Sequence, residues 1–260
     1  MSLFSGFVQT SNRTFVIGDV HGCLYELQQL WAQLPLTPDS EIIFLGDLID
    51  KGPDSDGVLA FVRARQREYR VVIVVGNHEL KALRRVARGL AVEFTPQADN
   101  LALLQSALPY YPFWAGLAVH AGVFPAFLRQ YPVLPDLAHA EHWPPRLRER
   151  LKRLTFCRFV NPHGQTVVLG QEQPEDRFWA EVYTGHFGQI FFGHQPWLNG
   201  VRLFPHAVGL DTGCVYGGTL SAACLEPNQP LRFFQVPAAQ RWAEPLVDGM
   251  ELSGTPNGPA

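Results

Sequence analysis

The sequence predicts an α/β fold in which two mixed β-sheets pack face to face between helices, an αββα sandwich. Three observations predict it. Apolar strand-like runs alternate with segments of helical spacing through the first half of the chain. Runs such as "VVIVV" (71–75) are apolar at every position, as in strands covered on both faces. The final third reads as consecutive strands separated by turns, enough for a second sheet.

The elements follow in order. Thr14 to Ile17 reads as a strand. Leu24, Leu27, Leu30, Trp31 and Leu34 recur at helical spacing. Glu41 to Leu45 is a strand, Gly57 to Arg65 a helix and Arg70 to Val75 a strand. From Lys81 to Phe113 the pattern turns helical and less regular. "LAVHAGVF" (117–124) resumes strand character. Pro125 to Asp176 is rich in Pro, Arg and Leu and reads as helix and loop over one end of the sheet. "QIFFGH", "AVGLDTGC", "GTLSAACLEP" and "LRFFQV" are the closing strands. We expect a single domain over residues 1–247, with lid-like helical insertions at about 81–113 and 125–176. The Gly/Pro/Ser-rich stretch 248–260 is expected to be a flexible tail.

Composition narrows the function classes. Of 260 residues, 47% are apolar, which supports a sizeable core. The formal charge of -3 points away from stable binding to nucleic acid or an anionic membrane. No apolar run approaches the ~18 residues of a membrane helix. Met1 to Thr10 lacks the pattern of a signal peptide, so the cytoplasm is expected. Cys23, Cys157, Cys214 and Cys224 form no Cys-x-x-Cys pair and read as reduced, mostly buried thiols. Oligomeric state is not legible.

The chemistry sits where the strands stop. "FVIGDVHGC" places Asp19 and His21 just past the first apolar run. "IIFLGDLIDKGPD" places Asp47 and Asp50 past the second, and "VVIVVGNHE" places Asn77 and His78 past the third. "LAVHAG" and "IFFGHQP" place His120 and His194 past two more. One such His is commonly an ordinary loop residue, and "GD" occurs in many turns. Five short motifs at five strand ends point instead to a shared site, since strand ends are where ligands and catalytic groups gather in α/β sheets. Asp19, His21, Asp47, Asn77, His120 and His194 form a set of carboxylate, amide and imidazole donors without sulfur. That set suits Mn²⁺, with Fe, Zn²⁺, Co and Ni as alternatives, rather than Ca²⁺ or a structural zinc. Six ligands suggest two divalent ions sharing one carboxylate, the arrangement that activates water for phosphoester hydrolysis.

These motifs resemble the metallo-dependent phosphoesterases of the phosphoprotein-phosphatase, or calcineurin-like, type. The resemblance is carried by GDVHG (18–22), GDLIDKG (46–52), GNHE (76–79), HAG (120–122) and GH (193–194), within about residues 14–226. It implies one metal on Asp19, His21 and Asp47, and a second on Asp47, Asn77, His120 and His194. It also implies that His78 is no ligand but a general acid beside the leaving group, oriented by Asp50. An imidazolium beside a carboxylate has a raised pKa and can donate a proton at pH 7. The family usually has Arg where this chain has Lys51, and Lys offers phosphate a point charge instead of a bidentate grip. Lys51 either contacts phosphate or turns to solvent. Arg158 is the candidate for a second phosphate-binding cation. Arg146, Arg148, Arg150 and Arg153 nearby read as a solvated helix face.

The closing "HAVGLDTGCVYGGTLSAACLEP" is similar to the end of bacterial diadenosine tetraphosphate hydrolases and their relatives. The resemblance implies a small phosphorylated substrate, a dinucleoside polyphosphate. Tyr216 either stacks on a base or packs, and Asp211 is expected to cap a turn or orient a ligand. Lys81, Arg84, Arg85, Arg88, Lys152 and Arg153 could line a lid over such a substrate, or simply solubilise surface helices. Two other readings stand beside it: a protein serine/threonine phosphatase, and a catalytically inactive relative serving as a binding module.

Overall fold

A computed structural model describes residues 13–244. The first half of the chain forms β1 (Thr14–Ile17), α1 (Leu24–Gln33), β2 (Glu41–Phe44), α2 (Ser55–Arg65), β3 (Arg70–Ile73), α3 (Asn77–Val86) and α4 (Ala98–Gln105). There follow β4 (Tyr111–Phe113), β5 (Gly116–Ala118), α5 (Pro125–Gln130), α6 (Pro145–Lys152), β6 (Phe159–Val160), β7 (Arg177–Phe178) and α7 (Trp179–Val182). The chain closes with β8 (Ile190–Phe192), β9 (Arg202–Phe204), β10 (Ala207–Gly209), β11 (Thr219–Leu225) and β12 (Arg232–Pro237).

The strands build two mixed sheets of five, as expected from the sequence. The first has the order β12-β11-β1-β2-β3, the second β4-β5-β8-β10-β9, and β6-β7 form a separate ribbon. β1, β2 and β3 run parallel, as do β5, β8 and β10. The strands sort their side chains between the layers with period two. Phe15 and Ile17 of β1, and Ile42 and Phe44 of β2, face an outer core shared with α1, α2 and α4. Val16 and Ile43 face inward against Ala118, Phe191 and Val208 of the second sheet. Leu117, Ile190 and Phe192 turn the other way, into a core shared with α5, α6 and α7. Both faces of the central strands are therefore covered, which is why Phe15–Ile17 and Ile42–Phe44 are apolar throughout.

Three details differ from the sequence reading. "VVIVV" belongs to an edge strand: Arg70 is exposed and Val71 and Val72 are only half-buried. The final third does not make a sheet of its own. β8, β9 and β10 enter the second sheet, whereas β11 and β12 pair antiparallel beside β1 and complete the first. β9, with Leu203 exposed, lacked an apolar pattern that would mark it. The segment 81–113 holds most of α3, all of α4 and β4, and Leu103 and Leu104 join the outer core of the first sheet. The expected tail at 248–260 lies outside the described residues.

α2 is capped by Asp54, whose carboxylate accepts from Gly57 N at 2.7 Å. All four cysteines are free and buried. No described helix is long and apolar enough to cross a membrane.

The layer between the sheets can be tested by truncation. Phe191, 1% exposed, packs there against Phe113. Phe191→Ala is expected to cost about 3–5 kcal/mol of unfolding free energy in a denaturant titration, whereas a loss below about 1 kcal/mol would show that this layer is not a packed core.

Candidate metal centre

Six parallel strands, three from each sheet, end together. The turns after β1, β2 and β3 carry Asp19 and His21, Asp47, and Asn77 with His78. Those after β5, β8 and β10 carry His120, His194 and Asp211. Two glycines let the loops close. A Cβ on Gly193 would stand 1.9 Å from Asp19 Oδ1, and one on Gly76 would stand 2.1 Å from Asp47 Oδ1. Side chains at those positions would push the carboxylates out of the site.

The imidazoles are held by backbone carbonyls. His21 Nδ1 lies 3.0 Å from Ile49 O, and His120 Nδ1 lies 2.7 Å from Leu45 O. Donation from Nδ1 leaves each Nε2 lone pair aimed inward, the usual way a protein fixes a metal-binding tautomer. Asp47 Oδ2 stands between them, 3.6 Å from His21 Nε2 and 3.4 Å from His120 Nε2. Asn77 Oδ1 is 3.0 Å from His120 Nε2. Donor atoms of Asp47, His120 and His194 lie within 4.8 Å of one another, as do those of His21, Asp47 and His78. Asp19 joins differently: both of its oxygens accept from His194 N, at 3.1 and 3.0 Å.

His78 is fixed by two carboxylates. Its Nδ1 is 2.8 Å from Asp50 Oδ2, and its backbone N donates to Asp47 Oδ1 at 3.0 Å. Its ring meets that of His21 edge-on, centroids 4.8 Å apart. Lys51 turns inward: Nζ lies 2.7 Å from Tyr216 Oη and 3.0 Å from His21 Nε2. Arg158 donates from Nε to Gln195 Oε1 at 2.9 Å and from Nη2 to His194 O at 3.1 Å. Tyr216 is 8% exposed: its ring packs with the outer core of the first sheet, and Lys51 Nζ lies 5.2 Å from the ring centroid. Asp211 caps a turn by accepting from Gly213 N at 3.0 Å. Of the more distant cations, Arg85 bonds Ala91 O, Lys152 pairs with Glu149, and Arg84 acts on the same Glu149.

Backbone strain concentrates at these residues. His21 (φ 47°), Asp47 (φ 48°), Asp50 (φ 69°), Lys51 (φ 68°) and His194 (φ 67°) adopt left-handed conformations. Each costs roughly 1–3 kcal/mol, so the surroundings must hold it in place. Sequence reasoning passed over three residues that do so. Glu79, fully buried, accepts from Asp47 N and Leu48 N at 2.8 Å each and from Gly76 N at 2.9 Å. Ser55 Oγ accepts from Asp50 N at 3.0 Å, and Glu93 accepts from Lys51 N at the same distance. The only sequence signal for any of them is that Glu79 closes the GNHE motif.

The electrostatics call for added positive charge. Burial, then the neighbouring Asp211, pushes the Asp19 carboxyl well above its ordinary range. Burial also lifts Asp211 and Glu79, each to about 6. For Asp47 burial acts the same way, but His120 overrides it and holds the carboxyl well below its usual range. Burial opposes charge on His120, yet the Asp47 carboxylate outweighs it and lifts that ring to about 9. Burial and the Lys51 ammonium press His21 down to about 3. Burial and Arg158 hold His194 neutral, and its buried Nε2 has no hydrogen-bond partner. An orphaned imidazole nitrogen, crowded carboxylates and a sulfur-free donor set fit divalent cations of intermediate hardness.

Residues 13–218 match the calcineurin-like phosphoesterase family. The symmetrical bis(5'-nucleosyl)-tetraphosphatase of Erwinia tasmaniensis is 32% identical, over 83% of this chain and 95% of its own. That of Pectobacterium atrosepticum is 30% identical, over 93% and 98%. A solved structure described provisionally as a diadenosine tetraphosphatase superposes with a TM-score of 0.65 at 25% identity, over 89% of this chain and 96% of that one. A protein serine/threonine phosphatase of Saccharomyces cerevisiae shares the fold, with a TM-score of 0.62 at 16% identity over 89% and 81%.

Calorimetric titration with Mn²⁺ is expected to show two ions bound per chain. Asp47→Asn should weaken that binding by at least the ~10–100-fold that even an outer partner of a metal site costs. Wild-type affinity in this variant would remove Asp47 from the ligand set.

Proposed function

The chain belongs to the calcineurin-like phosphoesterases, and from that premise we propose that it cleaves dinucleoside polyphosphates, splitting diadenosine tetraphosphate symmetrically into two ADP. It is a hydrolase of that family, and the family implies a dinuclear divalent-metal site. The observation that carries the substrate reading is coverage. The two tetraphosphatases match over 95% and 98% of their lengths, so the likeness extends to the walls around the motifs.

Asp19, His21 and Asp47 would hold one cation, and Asp47, Asn77, His120 and His194 the other. Mn²⁺ is the ion we assign, from the mixed oxygen and nitrogen donors. Bound there, the pair supplies an acidified water and positive charge for the phosphoryl oxygens. The remaining work falls to the chain itself. His78, tethered through Nδ1 to Asp50, presents Nε2 to the departing oxygen and gives it a proton. Lys51 and Arg158 draw the phosphates in, and Tyr216 acts by holding the Lys51 ammonium in place. The segments 81–113 and 125–176 would then serve as walls beside the site within a single domain. The substrate is a small soluble nucleotide of the cytoplasm.

The leaving group refines the role of His78. An anhydride releases a phosphate whose second pKa is about 6 and which departs readily without help. A phosphomonoester of an alcohol releases an alkoxide, which needs the proton far more. Proton donation should therefore matter more for the monoester than for the anhydride.

Incubation with Mn²⁺ and diadenosine tetraphosphate, followed by resolution of the nucleotides, is expected to yield two ADP. ATP plus AMP would contradict symmetrical cleavage. Phosphate released only from a phosphopeptide would favour a protein serine/threonine phosphatase, and no turnover even of p-nitrophenyl phosphate would favour a binding module. His78→Asn should slow turnover by roughly 10²–10⁴-fold, with the larger loss on an alkyl phosphomonoester, while metal content stays near wild type. If that variant loses its metals, the assignment of His78 as the acid is wrong.

A further inference from the structure

Two loops meet at Asp47, and one side chain joins them. The turn Gly46–Asp47–Leu48 has two successive residues in left-handed conformations, Gly46 at φ 96° and Asp47 at φ 48°. The consecutive Asp47 and Leu48 N–H groups converge on one point, a concavity that favours an anion. The anion is the Glu79 carboxylate: Oε2 accepts from Asp47 N and Oε1 from Leu48 N, each at 2.8 Å. Oε2 also accepts from Gly76 N at 2.9 Å. Glu79 is 0% exposed and lies in the first turn of α3, where a negative charge is favoured. The same α3 begins with Asn77 and His78, and His78 N returns a hydrogen bond to Asp47 Oδ1 at 3.0 Å. The closed circuit runs from Glu79 to the Asp47 backbone, through the Asp47 carboxylate to His78, and along α3 back to Glu79.

We propose that Glu79 is the positioning residue of this centre: its carboxylate fixes where the Asp47 oxygens stand and, through α3, where Asn77 and His78 stand. The proposal rests on Asp47 holding a cation, as read above. Hydrogen bonds to an ionised acceptor are shorter and about twice as strong as neutral ones, so three of them can hold a turn that its own backbone disfavours. The charge acts as well. A buried carboxylate bonded to the Asp47 backbone deepens the negative potential that draws cations in. Glutamine matches Glu79 in size but carries no charge and turns an NH₂ toward backbone donors. Aspartate keeps the charge but is one methylene short.

The test compares Glu79→Gln and Glu79→Asp with wild type, using Mn²⁺ calorimetry, turnover of p-nitrophenyl phosphate and thermal unfolding. In the Gln variant, Mn²⁺ affinity and kcat are each expected to fall ~10–100-fold while KM changes little. The Asp variant should recover part of the affinity through its charge, but less of kcat, because the turn relaxes. A lower Tm with unchanged affinity and kcat would reduce Glu79 to a structural brace and overturn the proposal. If the Gln variant does not fold, the Asp variant decides: wild-type affinity and kcat there overturn the proposal, and a fall in kcat larger than the fall in Mn²⁺ affinity supports it. Absence of Mn²⁺ uptake by the wild-type chain would overturn the reading of Asp47 itself. Uptake by wild type and Gln variant alike would overturn only the role of Glu79. None of these readouts depends on the dinucleotide substrate.

Discussion

The site depends on the burial of one apolar layer between two sheets. Val16 and Ile43 from the first sheet, and Ala118, Phe191 and Val208 from the second, exclude water from the middle of the molecule. That layer fixes the sheets against each other. It thereby fixes the distance between turns that follow strands far apart in sequence. Asp19 and His194 are separated by 175 residues, yet both Asp19 oxygens accept from the same backbone nitrogen. No local feature of either loop could arrange this. The strands supply the rigid frame, and the turns supply polar groups that a strand interior could not tolerate.

The cost of such a site appears in its backbone and its charges. Five residues in left-handed conformations cluster there, and among the described non-glycine residues only Asn228 shares the feature. Asp19, Asp47, Asp211 and Glu79 are all buried within one small volume. Lys51 and Arg158 answer part of that negative charge. The Asp47 carboxylate raises the pKa of the His120 ring despite its burial, and a cation at His120 Nε2 would take the place of that proton. Further positive charge would be favoured among these carboxylates, and the His21 and His120 imidazoles are already oriented by backbone carbonyls.

Much of this was legible in the sequence because the information was local. A strand reads as an apolar run, and a polar group just past its end reads as a site residue. Asp19, His21, Asp47, Asn77, His78, His120 and His194 were picked out as candidates in that way, and the structure brings their side chains near one another. What could not be read depends on partners distant along the chain. Whether β11 pairs with β1 or with β10 is a choice between equally apolar neighbours, so the split of the final third between sheets stayed hidden. The inward turn of Lys51 depends on Tyr216, 165 residues away. Glu79 looked like the end of a motif, because the N–H groups it serves belong to a loop 31 and 32 residues earlier. The half-exposed face of β3 is a matter of its place at the sheet edge, which composition does not record.

Two cations bridged by Asp47 are expected among the six strand-end donors. Crystals grown with Mn²⁺ and measured by anomalous diffraction provide the test. Two manganese peaks about 3.5–4 Å apart are expected, as in two-metal hydrolytic centres, with Asp47 touching both. One peak, or two peaks that Asp47 does not join, would contradict the bridged pair.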